Sequence, residues 1–230
     1  KEGYESIDNV LSRGTRALTV NEFEVASQET NALIIDTREA QIFASGFIPN
    51  SINIGIDGSF APWVGALVPG TDHPILLITE HGRETEVVTR LARVGYNYTI
   101  GFLQGGFESW LKSGKEIDKI SSVDAEAFSK TFVVGKTKVI DVRKPGEYEA
   151  EHVDGADNIP LDFLNEHIDE FPASGDVYVH CAGGYRSMIA LSILRARGWK
   201  NLIDVKGGFK SIETTNIPRT DFVCSSKKVK

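Results

Sequence analysis

ALIIDTREAQIFASGFIPNSINI (residues 32–54) and TKVIDVRKPGEYEAEHVDGADNI (residues 137–159) are two versions of one segment. Asp36 falls on Asp141, Arg38 on Arg143, Phe43 on Tyr148 and Asn53 on Asn158, each at a spacing of 105 residues. Further on, LARVGY at residues 91–96 answers LRARGW at 194–199, and GGF at 105–107 answers GGF at 207–209. A period held over that distance marks a duplicated structural unit, and the small drift in spacing belongs in loops. Domains commonly run to about 100–150 residues, so this 230-residue chain reads as two, residues 1–115 and residues 116–230.

Each copy carries the pattern of an α/β domain. Leu33-Ile34-Ile35 and Val139-Ile140 are short apolar runs of the kind that fill buried parallel strands, and residues 75–78 and 177–179 repeat the signal. Residues 83–93 and 187–197 place apolar side chains at helical spacing, and Gly95 and Gly198 follow as helix-ending glycines. Thr19 with Glu22 predicts a capping box that opens a helix ahead of the first copy. Residues 121–130 predict its counterpart ahead of the second, and residues 111–121 a linker. Alternating strands and helices predict a parallel sheet with helices on both faces in each copy.

Composition narrows the function classes. Hydrophobic residues at 41% and charged residues at 25% match an ordinary globular protein and exclude disorder over most of the length. Lys plus Arg is 25 against 32 Asp plus Glu, a formal charge of −7, which argues against nucleic-acid and anionic-membrane partners. The basic residues cluster only at Lys227, Lys228 and Lys230. No apolar run approaches the length of a transmembrane helix, and the N-terminus lacks a signal-peptide core. Two cysteines, Cys181 and Cys224, fit a reducing compartment, so a cytoplasmic location is expected. Met188 is the only methionine, which suggests a piece of a longer or processed protein. The five histidines show neither H-x-H nor H-E-x-x-H spacing, so no metal and no cofactor are expected.

The copies part company after their central strands. The second reads HCAGGYRS at residues 180–187 and the first TEHGRE at 79–84. Counting from the strands sets Glu80 opposite Cys181, and counting from the helices sets Arg83 opposite Arg186. On that count the first loop is two residues shorter and has no thiol. The second loop has the parts of an anion cradle with a nucleophile in it. A strand brings Cys181 to the carboxyl edge of a sheet, where α/β proteins place ligands. Gly183 and Gly184 let the loop curl so that its N–H groups converge, and a helix N-terminus follows. Arg186 adds a positive charge beside the sulfur, a setting that suits a thiolate nucleophile. Tyr185 is expected at the pocket rim and Ser187 at the helix cap. Asp141 and Arg143 read as a structural carboxylate and its paired guanidinium, and His180 as packing beneath the loop. Cys224, with no glycine loop around it, reads as an incidental thiol, and Trp63, Trp110 and Trp199 as core or interface residues.

DVRKPGEYEAEHVDGADNIP (141–160), VHCAGGYRS (179–187) and KGGF (206–209) together resemble the rhodanese (sulfurtransferase) superfamily, and the resemblance covers both copies. It implies two tandem rhodanese-like domains. Cys181 would cycle between thiolate and persulfide, with Ala182, Gly183, Gly184, Tyr185 and Arg186 as the substrate loop and Asp141, Arg143 and Ser187 in support. The first copy is similar to a degenerate member. It keeps DTRE at 36–39 but has Glu80, His81, Gly82 and Arg83 in place of the thiol loop, which implies a catalytically silent scaffold or interface. The partners implied are a small-molecule sulfur donor (thiosulfate or a persulfide) and a thiol acceptor, with cyanide as the assay acceptor. GSFAPWVGALVP (58–69) resembles tandem rhodanese pairs that follow a metallo-β-lactamase-like domain, and implies such a domain N-terminal to this chain. Two other classes compete with this reading. A phosphatase or arsenate reductase on the same fold resembles C-x5-R, whereas Cys181 and Arg186 are separated by four residues. A non-catalytic docking or sensing module of a larger persulfide-handling metallo-hydrolase would have no reason to keep a Gly-Gly loop and an arginine around a cysteine.

Overall fold

The computed structural model describes residues 6–222. Cys224 and the terminal lysines lie outside them. The chain forms two compact units whose boundary falls between Lys119 and Ile120.

In the first unit the order is α1 (Ile7–Gly14), β1 (Ala17–Leu18), α2 (Val20–Thr30), β2 (Leu33–Asp36), α3 (Ala40–Ser45), β3 (Ile52–Asn53), α4 (Phe60–Leu67), β4 (Ile75–Ile78), α5 (Glu84–Arg93), β5 (Thr99–Leu103) and α6 (Gly106–Lys112). The second runs β6 (Ser121–Asp124), α7 (Ala125–Thr131), β7 (Lys138–Asp141), α8 (Pro145–Ala150), β8 (Asp157–Asn158), β9 (Val177–His180), α9 (Tyr185–Ala196), β10 (Leu202–Lys206) and α10 (Gly208–Ile212), with two short 3-10 turns between β8 and β9. The sheets are β1-β5-β4-β2-β3 and β6-β10-β9-β7-β8. All pairs within them are parallel, so the duplication seen in sequence is a duplication of topology.

Burial explains the strand choice. Every residue of β4 is buried, as are Val139, Ile140 and Asp141 of β7, which is how a strand covered on both faces reads. Phe23, Ile34, Leu76, Ile78 and Trp110 pack one core. Phe128, Val139, Val205 and Phe209 pack the other. The capping box at Thr19 and Glu22 forms as its residue types require, each side chain bonding the other's backbone N–H.

Two expectations are corrected. Residues 121–130 are not one helix, because Ser121–Asp124 is strand β6, laddered to β10 from Ser121↔Ile203 to Asp124↔Lys206. An edge strand with no fully buried side chain carries little period-two signal, so the tertiary ladder decides it. Residues 111–121 are not a free linker. Leu111 and Lys112 close α6, the Trp110 indole N–H donates to Glu116 O at 2.9 Å, and Phe47 and Asp118 exchange backbone hydrogen bonds at 2.9 Å.

Candidate active site

Strand β9 ends at His180 and helix α9 begins at Tyr185, so Cys181, Ala182, Gly183 and Gly184 form the whole connection. Cys181 is 1% exposed. Gly184 has φ 96°, a left-handed value that glycine adopts without strain, and its N–H donates to Cys181 Sγ at 3.1 Å. Gly183 has no such φ, and a Cβ there would meet nothing within 4 Å. Only one of the two glycines is therefore required by the curl. The turn after β10 holds the loop from behind. Phe209 N donates to Cys181 O at 2.7 Å and Lys210 N to Ala182 O at 3.1 Å. A Cβ on Gly208 would sit 2.3 Å from Cys181 O, so that approach needs glycine.

Beneath the loop, buried Asp141 accepts from Arg143 N at 2.9 Å and from Arg143 Nε at 2.8 Å. The guanidinium of Arg143 also donates to Glu151 O and lies 3.9 Å over the Phe209 ring. Asn158 Nδ2 bridges Asp141 O and Arg143 O. The first unit repeats this with Asp36, Arg38, Asn53 and Phe107. His180 is buried, with Nδ1 3.2 Å from Cys181 O and 3.9 Å from Asp141 Oδ1. Its Nε2 has no partner among the described residues, and no hydrogen bond joins the ring to Sγ. Burial pushes its pKa below the ordinary histidine value, only partly opposed by Asp141, so the ring stays neutral.

Two details sharpen or change the expected loop. Arg186 carries its charge within a two-pronged ion pair with Glu147 of α8 at 2.6 and 2.8 Å. Glu147 is held below the usual carboxylate range by that pairing. Ser187 does not cap the helix. Gly184 is the cap residue, and the Ser187 hydroxyl lies within donating distance of Gly184 O (3.2 Å) and buried Asp204 (3.0 Å). Tyr185 opens α9 and is half-buried. The contacts of Glu147, Gly208 and Asp204 have no local signature in the sequence. Glu147 stands 39 residues from its partner, and only the fold brings them together.

The degenerate loop is also corrected. Asp36 pairs with Ile78 as Asp141 does with His180, so the next residues, Thr79 and Cys181, are equivalent. Thr79, not Glu80, occupies the cysteine position. The polar His180 ends strand β9, and an apolar-run count stops one residue short of it. Five residues separate β4 from α5 and four separate β9 from α9, so the first loop is longer and not shorter. The left-handed glycines agree, Gly82 with Gly184 and Gly105-Gly106 with Gly207-Gly208. Arg83 is not the counterpart of Arg186. It turns away to Asp57 and Glu86 at 2.8 and 3.0 Å.

Among the described residues no group of three or more His, Cys, Asp or Glu is placed to hold a metal, and no helix is long and apolar enough to cross a membrane.

A parallel α/β unit with a cysteine cradled between a central strand and a helix N-terminus, beside a copy without the thiol, defines a class. The family model of the rhodanese-like domain matches residues 19–113 and 124–215, and the chain belongs to that family, with two such domains in tandem. It is 41% identical over 75 residues to the uncharacterized protein YqhL of Bacillus subtilis, covering 33% of this chain and 60% of that one. It is 43% identical over 75 residues to the thiosulfate sulfurtransferase PspE of Escherichia coli, covering 32% and 71%. It is 29% identical over 110 residues to the putative sulfur carrier protein YrkF of B. subtilis, covering 47% and 58%. The matches thus span less than two thirds of YqhL and of YrkF. Among solved structures, a rhodanese-related protein of Thermoplasma volcanium aligns over 44% of this chain and 97% of its own, at 30% identity and TM-score 0.40.

Proposed function

We propose that the second domain is a sulfurtransferase that carries sulfane sulfur on Cys181. The observation that carries this reading is the Gly184 N–H aimed at Sγ within a loop whose backbone is fixed from behind by the Gly207-Gly208 turn. That donor stabilises negative charge on Sγ, and on the persulfide that replaces it, without reorganisation. In the first half-reaction the Cys181 thiolate attacks the outer sulfur of thiosulfate. The Cys–S bond forms, the donor's S–S bond breaks, and sulfite leaves with the bonding pair. A low-molecular-weight persulfide would react in the same way and release its thiolate. In the second half-reaction an acceptor thiolate takes the outer sulfur and the Cys181 thiolate leaves. The covalent intermediate makes the kinetics ping-pong. The exposed Lys210, whose backbone N–H meets Ala182 O at 3.1 Å, adds positive charge next to the loop, and Arg186 adds what its pairing with Glu147 leaves. The first domain, with threonine at the thiol position, has no nucleophile for this chemistry and serves as a scaffold or binding module.

The test is to incubate the full chain with thiosulfate or glutathione persulfide and take peptide masses without reductant. One sulfur gained on the Cys181 peptide, removed by cyanide and absent in Cys181→Ser, is expected. A folded chain with free Cys181 that loads from neither donor overturns the proposal. The faster donor identifies the substrate class.

A further inference from the structure

At the spacing of 102 residues that relates the two clefts, three positions change charge together. Ala182 becomes Glu80, Arg186 becomes Glu84 and Lys210 becomes Glu108. All three glutamates line one cleft of about 370 Å³ in the first unit, with Thr79, His81, Arg38 and Phe107 among the other walls. Arg38 adds no net charge because buried Asp36 neutralises it at 2.6 Å. Glu80 and Glu108 are exposed, and their carboxylates carry no ion pair or hydrogen bond among the described residues. The cradle itself has been filled from within. Gly82 N donates at 3.1 Å to Glu84 Oε1, where the equivalent Gly184 N donates to the cysteine sulfur. An anion arriving here meets carboxylates and a spent N–H.

A second observation is independent of charge. Thr79, 5% exposed, lines the cleft, and its Oγ1 is buried without a hydrogen-bond partner. A buried hydroxyl left unpaired is costly, and a ligand that supplies a donor relieves that cost.

From these features we infer that the first cleft is a binding site for a protonated primary amine. The ammonium group would donate to Thr79 Oγ1 while Glu80 and Glu108 balance its charge. An ammonium carries three donors and no acceptor, which matches one orphan oxygen and two unpaired carboxylates. Ile42, Leu103 and Phe107 give its alkyl stem apolar walls. The chemistry is that of a lysine side chain on a polypeptide or of a free alkylamine.

The test is an NMR titration of the isotopically labelled full chain. The probes are the peptide acetyl-Gly-Lys-Gly-amide, its norleucine counterpart and n-butylamine. Saturable shifts at Thr79, Glu80 and Glu108 with the lysine peptide, and none with norleucine, are expected. Binding should weaken about five- to tenfold in Glu80→Gln/Glu108→Gln, as for the loss of two exposed charge pairs. Thr79→Val, close in shape, should weaken it without disturbing the spectrum elsewhere. Butylamine shifting the same signals as strongly assigns the site to free amines, and a response to the peptide alone assigns it to a lysine of a polypeptide. An equal response to norleucine, no response to either amine, or undiminished binding in both variants overturns the inference. Sulfur loading on Cys181 is not used as a readout, so failure here leaves the proposal for the second domain standing.

Discussion

At the residue scale the loop turns on one glycine. Gly184 needs φ 96° and delivers the N–H that meets Sγ, whereas Gly183 needs neither. An L-residue forced into the left-handed region costs about 1–2 kcal/mol. Gly184→Ala is therefore expected to slow sulfur loading by tenfold or more and to lower the melting temperature of the second domain. Gly183→Ala should leave both near wild type, and parallel loading rates and melts decide it. Equal behaviour of the two variants would mean that the Gly184 N–H does not set the reactivity of the thiol. The sequence showed the glycine pair and the thiol but not which glycine the curl demands, because φ is a property of the folded loop.

Elements come next, and here the contact between α8 and α9 matters most. Glu147 clamps Arg186, so the guanidinium reaches the site already half-neutralised. Glu147→Gln should free it, so that thiosulfate half-saturates at a concentration about threefold lower, in line with the small worth of a part-exposed pair. Unchanged saturation would show that the donor does not meet Arg186. Because Arg186 lowers the pKa of Glu147, the pair's contribution stands above the ordinary carboxylate range and fades as pH falls through the depressed value. Periodicity made the central strands and the helices after them legible, since β2, β4, β7 and β9 are apolar runs buried by the sheet. It failed at β6, where four largely polar residues become a strand only because β10 lies alongside. It also failed at the end of β9, where a histidine closes the strand and shifts the alignment of the two loops. Pairings such as Glu147 with Arg186 connect elements far apart in sequence, and no local pattern announces them.

For the whole molecule, two expectations follow. His180 is buried neutral, so the unfolded chain takes up a proton that the folded one refuses as pH drops below about 6.5. Stability should fall with acid by up to about 1.4 kcal/mol per pH unit from this group, until its lowered folded pKa is reached. Denaturant melts from pH 5 to 8 should show a shallower decline in His180→Gln, whatever its absolute stability. An unchanged slope would place the proton uptake elsewhere. Duplication with divergence gives the second expectation. Thr79→Cys in a Cys181→Ser chain restores a thiol at the equivalent point of the other sheet, among Glu80, Glu84 and Glu108. It should not load from thiosulfate, and peptide mass mapping checks this. Loading there would mean that position alone, without surrounding charge, suffices.

The meeting of Gly208 with the Cys181 carbonyl also sets an order of events in biosynthesis. The chain emerges N-terminus first, so the cysteine leaves the ribosome well before the residues that fix its loop. Until Gly208 and Phe209 have followed and β10 has slotted beside β9, the bonds to Cys181 O and Ala182 O cannot exist. A nascent or truncated chain ending before residue 208 lacks both of the bonds that hold the loop from behind. The cradle is thus among the last parts of its domain to close, and the sulfur gains its prepared surroundings only once that domain is nearly complete.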